Sequence, residues 1–97
     1  MKGYWLILGT PVTDEAAQKE YGALWAPIAG RYGARLVREP DAVEAREVRD
    51  ATRVLLVEFP TFEAAKACYD DPAYGEAREH ALAAAERSLV LLRGEIA

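Results

Sequence analysis

The hydrophobic pattern along the chain switches several times between short unbroken apolar runs and apolar positions spaced by three or four. The run Arg53-Val54-Leu55-Leu56-Val57-Glu58-Phe59-Pro60 is the most continuous, with six apolar residues in eight, and it reads as a strand buried on both faces. Val54, Leu56 and Glu58 would point one way and Leu55, Val57 and Phe59 the other, so both sides of the sheet need apolar partners. Pro60 ends the strand. Gly3 to Gly9 and Ser88 to Gly94 repeat the pattern. Arg35-Leu36-Val37-Arg38 alternates polar and apolar residues, as an edge strand with one wet face does.

Between the strands the period changes. Ala17, Tyr21, Leu24, Trp25, Ile28 and Tyr32 form one helical stripe, capped by Thr13 or Asp14 and closed by Gly33. Pro27 removes a hydrogen bond from that helix, which predicts a kink or a split near Ala26. Thr61 caps a second helix with the stripe Phe62, Ala65, Cys68 and Tyr69. Asp71-Pro72 stops it and starts a third, whose face is Tyr74, Ala77, Ala81 and Ala85. Glu39-Pro40-Asp41 reads as a turn and Ala42 to Val48 as a short ribbon, together an exposed hairpin arm with no apolar anchor.

Strand-helix-strand therefore occurs twice, the second helix being broken in two. Right-handed crossovers fold that order into a ferredoxin-like α+β domain over residues 1–97, a four-stranded antiparallel sheet with its first and third strands central. Helices would cover one face, yet three strands are apolar on both. A homodimer packing sheet against sheet is the simplest resolution.

Composition narrows the function. At 97 residues the chain is one domain with a modest core, and 52% apolar against 29% charged residues is ordinary for a globular protein. The first apolar run, Tyr4 to Leu8, is shorter than a signal-peptide core, which predicts a cytoplasmic location and no membrane association. A net charge of −4 with interspersed signs leaves no basic footprint for nucleic acid. The single cysteine and single histidine exclude a disulfide framework and the common zinc spacings, and no cofactor is expected.

Several segments carry a family resemblance. Lys2-Gly3-Tyr4-Trp5, Tyr32-Gly33 before Arg35, Val57-Glu58-Phe59-Pro60-Thr61-Phe62-Glu63-Ala64-Ala65 and Tyr69-Asp70-Asp71-Pro72-Ala73-Tyr74 resemble the bacterial family named domain of unknown function 1330 (DUF1330) over nearly the whole chain. The resemblance implies a dimeric α+β barrel, in a superfamily that also holds small monooxygenases, isomerases and dehalogenase-like enzymes, and it implies no particular reaction. Ala34 and Glu39-Pro40 depart from the family's glycines, and Ala81 stands where the family commonly places an arginine.

The candidate chemistry is sparse. His80 is a general base or a partly packed histidine, and Glu58 is a buried acid or a carboxylate emerging at a strand end. Cys68 has no activating neighbour and reads as packing. Trp5, Trp25, Tyr21 and Tyr32 line an aromatic pocket or form plain core, with Arg35 and Tyr74 beside them as binding candidates. Arg78 lies in the apolar sector of the third helix. Either its stem covers apolar surface, or it stands in one turn early for the arginine missing at Ala81 and holds a small organic acid. Two function classes fit: a small-molecule enzyme of the cofactor-free oxygenase or isomerase kind, and a non-catalytic ligand-binding or interaction dimer.

Overall fold

A computed structural model describes residues 1–38 and 43–96. The order is β1 (Gly3–Gly9), α1 (Glu15–Tyr32), β2 (Arg35–Arg38), β3 (Arg53–Phe59), α2 (Phe62–Asp70), α3 (Pro72–Ala84) and β4 (Arg87–Arg93). All pairings are antiparallel and the strand order is β2-β3-β1-β4, which puts the two most apolar strands in the middle. This is the ferredoxin-like α+β arrangement expected from the sequence, with all three helices on one face.

Helix boundaries follow the local chemistry. The Asp14 side chain accepts from the Ala17 N–H, Thr61 from Ala64 and Asp71 from Ala73, so each helix start has an orphan donor satisfied. Gly33 ends α1 in the left-handed conformation at φ 66°, which a residue without Cβ adopts cheaply. Of the kink or split expected near Ala26, the split is absent: α1 runs unbroken through Pro27. The carbonyl it deprives of a donor is that of Ala23, and Ala23, Ala26 and Pro27 are all exposed, so water satisfies what the helix loses.

The core lies between the sheet and the helices. Trp5 and Ile7 of β1, and Val57 and Phe59 of β3, pack against Ile28, Ala65, Cys68, Tyr74 and Ala77. Trp5 is fully buried, contacts four other aromatic rings, and donates its Nε1–H to the Ala65 carbonyl at 2.9 Å. Small residues on α3 let that helix pack closely on α1. The start of α1 is also tied to the end of α3, since the Thr13 N–H and hydroxyl both donate to the Ala84 carbonyl, at 2.8 and 3.2 Å. Bound to its neighbour helix in this way, α1 meets the sheet mainly through its large side chains.

The opposite sheet face carries Leu6, Leu8, Val54, Leu56, Val90 and Leu92, as the strand register dictates. Leu8 is 37% and Val90 47% exposed, and no helix lies over them. Only one end is covered. There the Ile96 N–H donates to the Tyr4 hydroxyl, and Gly94 N–H to the Lys2 carbonyl, so the C-terminal tail folds over Tyr4. Of the expected arm, Glu39 to Ala42 lies outside the described residues. Val43 to Val48 forms no ribbon; it is irregular chain, mostly exposed, because its charged residues offer no face to pair or bury.

Candidate functional site

Where α1 stands off the sheet, a cavity of about 250 Å³ opens. It exists because small residues line it where large ones would close it: Gly9, Gly22, Ala34, Ala81 and Ala85. A Cβ built on Gly22 would meet nothing within 4 Å. The walls are Trp5, Tyr21, Trp25, Ile7, Leu55 and Val57, with Leu36 as well, and the polar contributors are Gln18, Arg53, Arg87 and the Tyr21 hydroxyl. A few polar groups converging on an aromatic cleft is the usual make-up of a small-molecule site.

Tyr74 lies beneath the polar end. Its buried hydroxyl accepts from an Arg87 guanidinium nitrogen at 2.6 Å and stands 3.1 Å from the Tyr21 hydroxyl, and the Arg87 guanidinium also sits 5.4 Å from the Tyr21 ring centre. Burial is the main cause that holds the Tyr74 phenol protonated well above its usual range. Either hydroxyl can donate across this 3.1 Å contact; with Tyr74 as the donor, its buried proton is satisfied by Tyr21, the acceptor within reach among the described residues. That direction leaves the Tyr21 O–H free to donate into the cavity.

The residues singled out from the sequence are dispersed. Trp5, Tyr21 and Trp25 line the cavity and Tyr74 supports it from below. Tyr32 instead donates to Asp71 at 2.6 Å, joining the end of α1 to the α2–α3 corner, where Arg31 also approaches Asp71 at 3.7 Å. Those contacts hold the Asp71 carboxyl below the usual range, the Tyr32 hydrogen bond contributing most. Glu58 and Arg35 sit on the other face of the sheet, away from the cavity. The Arg35 guanidinium donates to Glu58 at 2.8 Å, and Lys2 and the Tyr4 hydroxyl complete the cluster at 3.5 and 3.3 Å. The Arg35 hydrogen bond is the first cause of a Glu58 pKa below the ordinary glutamate value, outweighing the burial that would raise it.

Arg78 does not line the cavity; its guanidinium lies 5.1 Å from the Tyr69 ring centre, covering the aromatic edge of the core. His80 is half-buried on α3 and is also absent from the lining. Cys68 is buried, and burial pushes its thiol up to about 12, far from a nucleophile's range. Arg53 and Arg87, missed in the sequence, are the charged residues that do reach the cavity. The signal was present in the register, because both pair with Gly9 and so share its row and its face.

Solved structures with the same fold span nearly the whole chain. A protein of unknown function from Rhodopseudomonas palustris shares 22% identity at a TM-score of 0.71, covering 99% of this chain and 84% of that one. A hypothetical protein from Arabidopsis thaliana shares 12% at a TM-score of 0.65, covering 98% and 89%. SnoaB, a cofactor-independent oxygenase from Streptomyces nogalater, shares 14% at 0.58, covering 99% and 95%. At these identities the likeness is one of fold. No curated protein matches the sequence. No helix among the described residues is long and apolar enough to cross a membrane. The four segments shared with one bacterial family fall on β1, the α1–β2 junction, the β3–α2 turn and the α2–α3 corner, and the match to that family runs over residues 2–95: this chain belongs to the family described as Domain of unknown function (DUF1330).

Proposed function

We propose that the protein is a homodimer, sheet against sheet, in which each protomer binds a small organic molecule in the cavity between α1 and the sheet. The observation that carries the reading is the cavity itself, about 250 Å³ of aromatic and aliphatic wall kept open by glycine and alanine at positions where any larger side chain would fill it. A concave aromatic cleft with a few polar groups at one end is the usual form of a small-molecule site. The homodimer is supported by the bare face of Leu6, Leu8, Val54, Leu56, Val90 and Leu92, an apolar surface of the kind that marks an interface.

Oxygenase or isomerase chemistry without a cofactor suits such a site, because it asks mainly for a dry, shaped pocket, and SnoaB carries a cofactor-independent oxygenase activity on the same fold. A non-catalytic binding role is favoured by one observation: the polar side chains lining the cavity are Gln18, Tyr21, Arg53 and Arg87, with neither Glu58 nor His80 among them to act as a base. Binding is common to both readings and is what the geometry supports best. Gly22→Leu tests it. The leucine should project into the cavity, leave the melting temperature unchanged or higher, and weaken binding of small aromatic compounds by at least about tenfold in calorimetry. Undiminished binding by this variant would remove the cavity as the site.

A further inference from the structure

Gly9 stands between Arg53 on β3 and Arg87 on β4, each its direct partner across the sheet, so the three residues form one row on the helix-facing side. The glycine contributes no side chain to that row. The two guanidiniums are therefore the side chains that close the sheet at this end of the cavity, and both line it. Neither has a carboxylate within ion-pair distance among the described residues, although four other basic side chains do. Two half-buried cationic groups that share one end of an aromatic cavity make that end attractive to an anion.

Resting on the small-molecule reading of this cavity, we infer that the ligand is a small planar aromatic carboxylate, its carboxylate held by Arg53 and Arg87 and its ring lying among Trp5, Tyr21 and Trp25. Arg87 uses one nitrogen on the Tyr74 hydroxyl and keeps the rest of its five donors for the ligand. Arg53 lines the same end, and its planar fork suits a bidentate carboxylate contact. With Tyr74, itself accepting from Arg87, as the donor to Tyr21, the Tyr21 hydroxyl is left as a third donor at the same end. The volume of about 250 Å³ limits the body to one or two rings. The tyrosine and tryptophan faces offer stacking to a flat ring that a saturated acid could not use.

Two probes of one shape, 2-naphthoate and 2-naphthamide, separate charge from fit. Affinities are measured by calorimetry on the wild type, Arg53→Gln and Arg87→Gln, and the indole N–H resonances of Trp5 and Trp25 report whether the probe enters the cavity. The acid is expected to bind the wild type at least about tenfold more tightly than the amide, a difference of about 1.4 kcal/mol. It should shift the Trp25 indole, and the preference should fall to near unity in Arg53→Gln. Arg87→Gln disturbs the buried Tyr74 hydroxyl, so its fold is checked by circular dichroism and Arg53→Gln carries the decision. Equal affinity for acid and amide with shifted indole resonances would overturn the anion site and leave the cavity reading standing. Absence of binding by both probes would overturn the two together, and an acid preference that survives Arg53→Gln would also overturn the proposal.

Discussion

Glu58 illustrates how a residue's role follows from which face its strand presents. The alternation of β3 predicts that it shares a face with Val54 and Leu56, and the structure puts it there, 8% exposed and clasped by Arg35, Lys2 and Tyr4. What the sequence did not disclose was the cation across the sheet, since the pairing of Arg35 with Glu58 depends on a register no local pattern encodes. Because its pKa is lowered on folding, Glu58 stabilises the protein fully above the unfolded glutamate value of about 4.3, and that stabilisation is lost as pH falls through the folded value. Melting temperatures measured from pH 7 to pH 3 should therefore fall less steeply for Glu58→Gln than for wild type. Parallel curves would show that the cluster contributes nothing on folding. Gly3 makes a different test: a Cβ there would lie 2.5 Å from the backbone Cα of Phe62, a contact no side-chain rotation relieves. Gly3→Ala should cost about 1–3 kcal/mol in urea unfolding; a cost near zero would mean the β1–α2 approach is looser than it stands.

At the scale of elements, strands and helix caps were legible because each is set by a few adjacent residues: Asp14, Thr61 and Asp71 cap where their chemistry allows, and Gly33 stops α1. The choice between a kink, a split and neither at Pro27 was not, because it depends on whether the Ala23 carbonyl that loses its donor reaches water, and exposure is a tertiary property. The choice between an aromatic pocket and plain core stayed open for a related reason. Tyr21 and Trp25 form a helical stripe whether they are packed or hold a space open, and only the close approach of α1 to α3, with Gly22 and Ala34 beside it, distinguishes the two. Arg87 was read as lying just before its strand, which hid its pairing with Gly9. Residues 44–47 are exposed and irregular, so a four-residue Gly-Ser insertion between Arg46 and Glu47 should change the melting temperature little and leave assembly intact. Loss of the proposed dimer on that insertion would instead assign this segment to the interface.

For the whole molecule, the layer count decides. Three helices cover one side of a four-stranded sheet, and the side left bare is built from leucine and valine in rows that a soluble monomer would keep polar. A second copy laid over it, as proposed, would remove that surface from water. Multi-angle light scattering over a dilution series, read with melting temperature at each concentration, tests this most directly. The account predicts twice the 10.7 kDa chain mass at micromolar concentration and a melting temperature that falls on dilution, because folding and association are linked. It also predicts that Leu56→Arg, with a charge at the centre of the bare face, shifts the species to monomer. A wild-type chain of single mass whose melting temperature is unchanged over the same dilution would contradict it.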